Sequence, residues 1–137
     1  PYFYDEVEAG LDASGRPVAW RHRITGSSIL KRWAPPLYQN GFDPETIDGA
    51  AQPPYAFANI RVEYQNHEPP IPTAFWRGVG PTHNVFVVES FFDELAAAGG
   101  ADPVAYRLAS LEDNPRAAQV LRVAAERAGW DRPVGKR

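Results

Sequence analysis

Polar and apolar residues alternate in several stretches of this chain and recur at helical spacing in its last third. Val7, Ala9 and Leu11 alternate with Glu6, Glu8 and Gly10, the period of a half-buried strand. Asp12-Ala13-Ser14-Gly15 supplies turn residues, with a glycine for a left-handed position. A return strand is predicted over 17–25. It carries Val18, Trp20, His22 and Ile24 on a core face and Ala19, Arg21, Arg23 and Thr25 on a wet one. A further alternating strand puts Ala58, Ile60, Val62 and Tyr64 on one face, opposite Asn59, Arg61, Glu63 and Gln65.

The helical pattern begins at Pro81, since proline suits a first turn whose amide has no intrahelical partner. A helix is predicted over Pro81 to Ala98, with Val85, Val88, Phe92 and Leu95 as its buried stripe and Gly99-Gly100 as its end. Asp102-Pro103 and Asn114-Pro115 are cap-then-proline starts of two more helices. Val104, Leu108 and Leu111 face inward from the second. Ala117, Val120, Leu121, Ala124 and Ala128 do so from the third, which Gly129 closes.

Proline organises the middle. There are 14 prolines in 137 residues, roughly twice the usual ~5%. No period holds over 34–54, where Pro35-Pro36, Asn40-Gly41 and Pro53-Pro54 interrupt any element. A loop of that length is either functional, a partner contact, or a surface excursion clamped by Trp33, Tyr38, Phe42 and Tyr55. Pro69, Pro70 and Pro72 force an extended turn before the helices. The expected fold is α+β in two layers: a small antiparallel sheet, hairpin plus one strand, packed with three C-terminal helices. Residues 1–137 form one unit, with sheet and proline-rich loop in 1–72 and a glycine loop and helices in 73–137.

Composition narrows the chemistry. The net charge of −3 argues against a general nucleic-acid or membrane-surface binder. No apolar run approaches the ~20 residues of a membrane helix, and no leader pattern is visible. Without cysteine, a thiolate-held iron–sulfur cluster, a cysteine zinc site or a disulfide cannot form in this stretch. The chain opens at Pro1, contains no methionine, and closes on Pro133-Val134-Gly135-Lys136-Arg137 without an obvious structural stop. The expectation is a piece of a larger protein.

The stretch richest in chemistry is Pro72-Thr73-Ala74-Phe75-Trp76-Arg77-Gly78-Val79-Gly80-Pro81-Thr82-His83-Asn84. Gly78 and Gly80 permit a sharp bend and close approach of a ligand. The helix entrance behind them offers unpaired amides. Arg77 offers a planar donor fork for phosphate or carboxylate, and Phe75 and Trp76 would wall the site from water. A plain turn, with Arg77 paired to a surface acid, is the other reading of the same residues.

Trp76-Arg77-Gly78-Val79-Gly80-Pro81-Thr82-His83-Asn84-Val85-Phe86-Val87-Val88-Glu89-Ser90-Phe91 resembles a signature of the large subunits of isoquinoline 1-oxidoreductase-like molybdenum hydroxylases. More distantly it is similar to the Phe-Arg-Gly-Phe-Gly-Gly-Pro loop of the xanthine dehydrogenase and aldehyde oxidase family. Asp93-Glu94-Leu95-Ala96, Asp102-Pro103-Val104-Ala105-Tyr106-Arg107, Asn59-Ile60-Arg61-Val62-Glu63-Tyr64 and Ala19-Trp20-Arg21-His22-Arg23 extend the resemblance over nearly the whole chain, the loop at 34–54 excepted.

The resemblance implies an α+β piece of a subunit that binds a molybdenum–molybdopterin cytosine dinucleotide. Such a subunit hydroxylates an aldehyde or N-heteroaromatic carbon with water as oxygen source. It implies an iron–sulfur partner with two [2Fe–2S] clusters, in bacterial cytoplasm or periplasm, and the rest of the large subunit as a further partner. Carried over residue by residue, Trp76, Arg77, Gly78 and Gly80 face the cofactor, while Val79 and Phe75 belong to the substrate pocket. The family's base glutamate is expected outside this stretch, so no catalytic residue and no protein metal ligand is assigned. An aromatic residue follows the arginine by two positions in the purine-oxidising branch. Val79 stands there instead and cannot stack, and 34–60 holds no arginine to grip a purine. Purine is therefore not the expected substrate. The alternative of another class is a non-catalytic α+β interaction module.

Other polar residues have structural expectations. His83 and Glu89 lie about 240° apart around a helix and cannot chelate one ion. Glu89 is expected to have a buried partner. His83 faces either the helix surroundings or the cleft. His22 is read as a satisfied core histidine, His67 as exposed, and Arg21, Arg23, Arg61 and Glu63 as cross-strand pairs. The spacing gives no Ser-His-Asp or Cys-His grouping and no Walker pattern.

Overall fold

A computed structural model describes residues 2–132. Pro1 and the closing run from Pro133 to Arg137 lie outside the described residues, and so does that part of the expected unit. The elements are β1 (Phe3–Leu11), β2 (Pro17–Gly26), α1 (Leu30–Trp33), β3 (Asn59–Asn66), α2 (Pro81–Ala98), α3 (Pro103–Ala109) and α4 (Pro115–Ala128), with 3-10 turns at Pro35–Leu37 and Pro44–Thr46. Sheet and helices form an α+β arrangement in two layers.

β1 and β2 make the expected hairpin, with Val7 opposite His22 and Ala9 opposite Trp20. The Asp12 carboxylate organises its turn by accepting from the Ser14 amide at 2.8 Å, the Ser14 hydroxyl at 2.6 Å and the Arg16 amide at 3.0 Å. Those bonds hold its carboxyl below the usual range. Gly15 takes φ +80°. The turn is docked from the helical layer, where the Tyr106 hydroxyl donates to the Gly15 carbonyl at 2.9 Å.

The third strand corrects the expected topology. β3 pairs with β2 in parallel, Ala19 opposite Asn59 through Gly26 opposite Asn66, so the sheet is mixed, not antiparallel. Alternation along a strand reports which face is wet, not the direction of its neighbour. The reversal is made by residues 27–58, which return the chain to the start of β2. This segment runs over the surface through residues 35–42 and then turns inward. Asp43, Thr46 and Ala50 in it are buried. Of its predicted aromatic clamp, Tyr55 is buried, whereas Trp33 is 59% exposed.

The core brings Trp20 from the sheet together with Val88, Phe92, Leu95 and Ala96 of α2, Tyr106, Leu111 and Tyr55. Phe92 is fully covered, stacked on Tyr55 at 3.9 Å and 14°. A buried aromatic side chain of this kind contributes on the order of 2–3 kcal/mol. Within the expected stripe, Val85 is 46% exposed while Val88, Phe92 and Leu95 are buried. The first turn of α2 packs through Asn84 instead, which is buried and donates to the Thr46 and Asp48 carbonyls at 2.8 Å each. Val18, expected inside, and Ile60 lie at open ends of the sheet. α4 rests on the core mainly through Ala118, and Val120, Ala124 and Ala128 are exposed, contrary to expectation. Asp102 and Asn114 cap α3 and α4 as predicted, and Gly129 ends α4 in the left-handed region.

Candidate functional site

The loop before α2 bends through two consecutive left-handed residues, Gly78 at φ +84° and Val79 at φ +43°. Glycine takes this conformation freely, but a β-branched valine does so only under constraint from its surroundings. The bend is held by the Val79 amide donating to the Trp76 carbonyl at 3.1 Å and by the Thr82 hydroxyl donating to the Arg77 carbonyl at 2.8 Å. The Thr82, His83 and Asn84 amides turn back onto the Gly78, Val79 and Gly80 carbonyls. The helix entrance therefore does not present its own amides, contrary to expectation, because the loop already winds like an extra turn. Within 76–80, the amides of Trp76, Arg77, Gly78 and Gly80 have no hydrogen-bond partner among the described residues.

The predicted residues separate into two groups. Phe75, Trp76, Val79 and Gly80 line one cleft of about 30 Å³, together with Phe3, Ile29, Glu45, Thr46 and His83. Arg77 and Gly78 stand outside it. The Arg77 side chain is exposed and makes no ion pair or hydrogen bond among the described residues, so the surface-acid reading has no support. Trp76 is 64% exposed and caps the rim of the cleft without sealing it. Gly80 has a packing reason of its own: a Cβ there would collide with the Glu45 carbonyl oxygen.

His83 faces the cleft. Its ring stacks on Phe3 at 3.7 Å and 17°, and both ring nitrogens are sealed from solvent without a partner among the described residues. Burial holds the imidazole below the ordinary histidine range. Glu45 was not legible as a site residue. Glu45 lines the same cleft, its Oε2 is buried without a partner among the described residues, and burial followed by the charges of Asp43 and Asp48 raises its pKa. The signal was present, since Asp43-Pro44 repeats the cap-then-proline start seen at Asp102 and Asn114. Asp43 Oδ1 accepts from the Glu45 amide at 2.9 Å, and Oδ2 accepts from the Ser28 hydroxyl at 2.6 Å and the Leu30 amide at 3.1 Å.

The remaining candidates are structural. His22 Nε2 lies 2.7 Å from Asp5 Oδ1, fully buried. Glu89 receives the Tyr55 hydroxyl and Arg107 Nε at 2.9 Å each. His67 is exposed. Arg21, Arg23 and Arg61 converge on Glu63 across the wet face of the sheet. Among the described residues no group of three or more histidine, aspartate or glutamate side chains is placed to hold a metal ion, and no helix is long and apolar enough to cross a membrane.

No family model matches the chain. It is 35% identical over 130 residues to one of the subunits of nicotinate dehydrogenase from Pseudomonas putida, an alignment covering 91% of this chain and 11% of that protein. It is 34% identical over 130 residues to the beta chain of isoquinoline 1-oxidoreductase from Brevundimonas diminuta, covering 92% of this chain and 16% of that protein. This chain is homologous to a segment of these oxidoreductase subunits. The family resemblance read from the sequence thus holds over nine-tenths of its length. The chain spans less than a fifth of either relative.

Proposed function

We propose that this chain forms one wall of a molybdenum–molybdopterin cytosine dinucleotide site in a subunit that hydroxylates an N-heteroaromatic or aldehyde carbon. The observation that carries this reading is the loop 76–80, which combines a guanidinium and four backbone amides without partners among the described residues with two consecutive left-handed residues. Such a donor set matches an anionic oxo or phosphate group, so the residues present fit the cofactor. When bound, the cofactor supplies the redox centre at which oxygen from water is passed to the substrate carbon.

In this proposal the chain positions and encloses. Arg77 donates through its side chain and backbone, Gly78 and Val79 give the backbone its left-handed bend, Gly80 lets the loop seat against the Glu45 carbonyl, and Trp76 covers the cofactor-facing edge. Val79 and Phe75 bound the substrate side with apolar surface. No proton transfer is assigned to any residue here. The names of the two relatives specify nicotinate and isoquinoline, both N-heteroaromatic rings, which favours that class over an aldehyde. The exposed Trp76, Ile71 and Phe86 are proposed to meet the rest of a large subunit, with electrons leaving to an iron–sulfur partner.

The test is Arg77→Ala in the intact subunit. Molybdenum per protein or turnover is expected to fall at least tenfold, about 1.4 kcal/mol of lost interaction. Unchanged metal content together with unchanged turnover would remove the role of the loop.

A further inference from the structure

The loop 76–80 owes its shape to bonds that its carbonyls accept, and one of those bonds comes from a side chain. The Trp76 carbonyl accepts from the Val79 amide at 3.1 Å, and the Gly78 and Val79 carbonyls accept from the Thr82 amide at 3.3 Å each. The Arg77 carbonyl accepts from the Thr82 hydroxyl at 2.8 Å. Among the described residues no backbone amide donates to that carbonyl, and no other side chain is hydrogen-bonded to 76–80.

These ties decide where the unpartnered amides point. A trans peptide is planar, so its C=O and N–H face opposite ways. Anchoring the Trp76 carbonyl therefore aims the Arg77 amide, anchoring the Val79 carbonyl aims the Gly80 amide, and anchoring the Arg77 carbonyl aims the Gly78 amide. The first two anchors are backbone bonds, present with any residue but proline. The third depends on a hydroxyl at position 82. Its footing is firm, because Thr82 stands in the first turn of α2, which Asn84 pins by donating to the Thr46 and Asp48 carbonyls at 2.8 Å each. Two neighbours are fitted to it. A Cβ at position 78 would meet the Thr82 hydroxyl oxygen, so glycine leaves the hydroxyl its path. Val79 sits at φ +43°, where a β-branched residue stays only if its surroundings over-determine it. The bond that fixes the Arg77–Gly78 peptide is part of that constraint.

We propose that Thr82 is a positioning residue for this loop: its hydroxyl holds the Arg77–Gly78 peptide so that the Gly78 amide stays free to donate, together with the Arg77 guanidinium, to a bound anionic oxygen group. The inference rests on the proposed role of the loop as a cofactor wall. It adds that an uncharged side chain outside 76–80 sets how well the loop holds that group. A hydroxyl bonded near a helix start is in many proteins only a local turn contact. Such a contact would change stability alone. A positioning contact changes the donor geometry while stability stays nearly intact, since Thr82 is exposed and losing its hydroxyl opens no cavity in the core.

The experiment compares Thr82→Val, which removes the hydroxyl and keeps the branched shape, with Thr82→Ser, which keeps the hydroxyl. Thr82→Ala serves should the valine variant not fold. In the intact chain, the amide-to-α-proton coupling and α-carbon shift of Val79 report its backbone angle by nuclear magnetic resonance. In the intact subunit, molybdenum per protein reports how much cofactor is held. In Thr82→Val the left-handed signature of Val79 is expected to average out, and molybdenum per protein to fall about fivefold, the weight of one hydrogen bond. The melting temperature is expected to move by less than about 4 °C. Thr82→Ser is expected to keep molybdenum within about twofold of the original. Molybdenum unchanged in Thr82→Val but lowered in Arg77→Ala would overturn the role of Thr82 and leave the loop its function. Molybdenum unchanged in both would overturn the cofactor wall, and the positioning role with it. A loss that serine fails to restore, or one with the Val79 backbone unmoved, would also sink the proposal, because the hydroxyl would not be acting through the loop.

Discussion

The Tyr55 hydroxyl donates to the Glu89 carboxylate, 2.9 Å from each of its oxygens, and Arg107 closes on the same carboxylate from the other side. Arg107 donates from Nε to Glu89 at 2.9 Å and from Nη1 to Asp93 at 2.6 Å, while its guanidinium lies over the Phe92 ring at 5.6 Å. One carboxylate on α2 thus ties the crossover segment to α3 above the most buried ring of the core. Arg107→Ala is expected to lower unfolding free energy by about 3 kcal/mol, because it leaves Glu89 half-buried without its counter-charge. Tyr55→Phe is expected to lower it by about 1 kcal/mol. Urea denaturation of the two variants checks both the size and the order.

The same tyrosine gives an alkaline signature. Burial first, then the charge of Glu89, raises the Tyr55 phenol well above its ordinary value of 10.0. A group raised in the folded state contributes stability fully below its unfolded pKa, and that contribution is lost as pH rises beyond it. Stability is expected to fall from pH 10.0 upward, and Tyr55→Phe to flatten that fall. Burial also raises Tyr64 and Tyr106, so the limb flattens without disappearing. Denaturation midpoints across the alkaline range measure it.

Acid behaviour has the opposite sign at Glu63. Hydrogen bonds from Arg21, then Arg61, lower its carboxyl from 4.5 to about 2. Its contribution is present above pH 4.5 and is lost as pH falls toward about 2. Glu63→Gln is expected to shallow the acid limb between those values while changing little near neutrality, since the group is solvent-screened. Acid titration of the far-ultraviolet signal at low and high salt tests this.

Val79 and Gly80 respond oppositely to changes in size. Val79→Gly relieves a left-handed valine and is expected to raise stability by about 1 kcal/mol, a melting shift of about 3–5 °C. Gly80→Ala drives a methyl group into the Glu45 carbonyl and is expected to cost about 3 kcal/mol. Gly78→Ala pushes against the Thr82 hydroxyl and its bond to the Arg77 carbonyl, in addition to the cost of its φ, about 1–2 kcal/mol. Calorimetry of the three variants ranks them. In the intact subunit, Val79→Phe is expected to change the substrate profile more than stability; an unaltered profile would place Val79 outside the pocket.

Periodicity and caps revealed the hairpin, all three long helices and the bend at 78–80, because each is a local decision between a residue and its near neighbours. Direction of pairing is not local. Nothing within Asn59–Asn66 states that its partner runs alongside it, and the answer lies in how 27–58 folds. Burial in that segment hinges on Asp43, a charged residue wholly enclosed because backbone amides and the Ser28 hydroxyl satisfy it. Composition alone marks such a residue as exposed. For the same reason Glu45 escaped notice, while His83 was visible only as one of two orientations. The α4 stripe was misjudged because alanines suit a helix on either face, and the core meets that helix chiefly at Ala118.

The parallel seat of β3 also sets the order of assembly. A hairpin such as β1–β2 closes in microseconds, whereas β3 can join only after the crossover has condensed around Asp43, a long-range closure that slows folding. Until then the outer rim of β2 stands open, with Trp20 and Ile24 beside unsatisfied main-chain groups. That interval, ahead of any question of catalysis, is when a newly made chain is most exposed to pairing with the wrong neighbour.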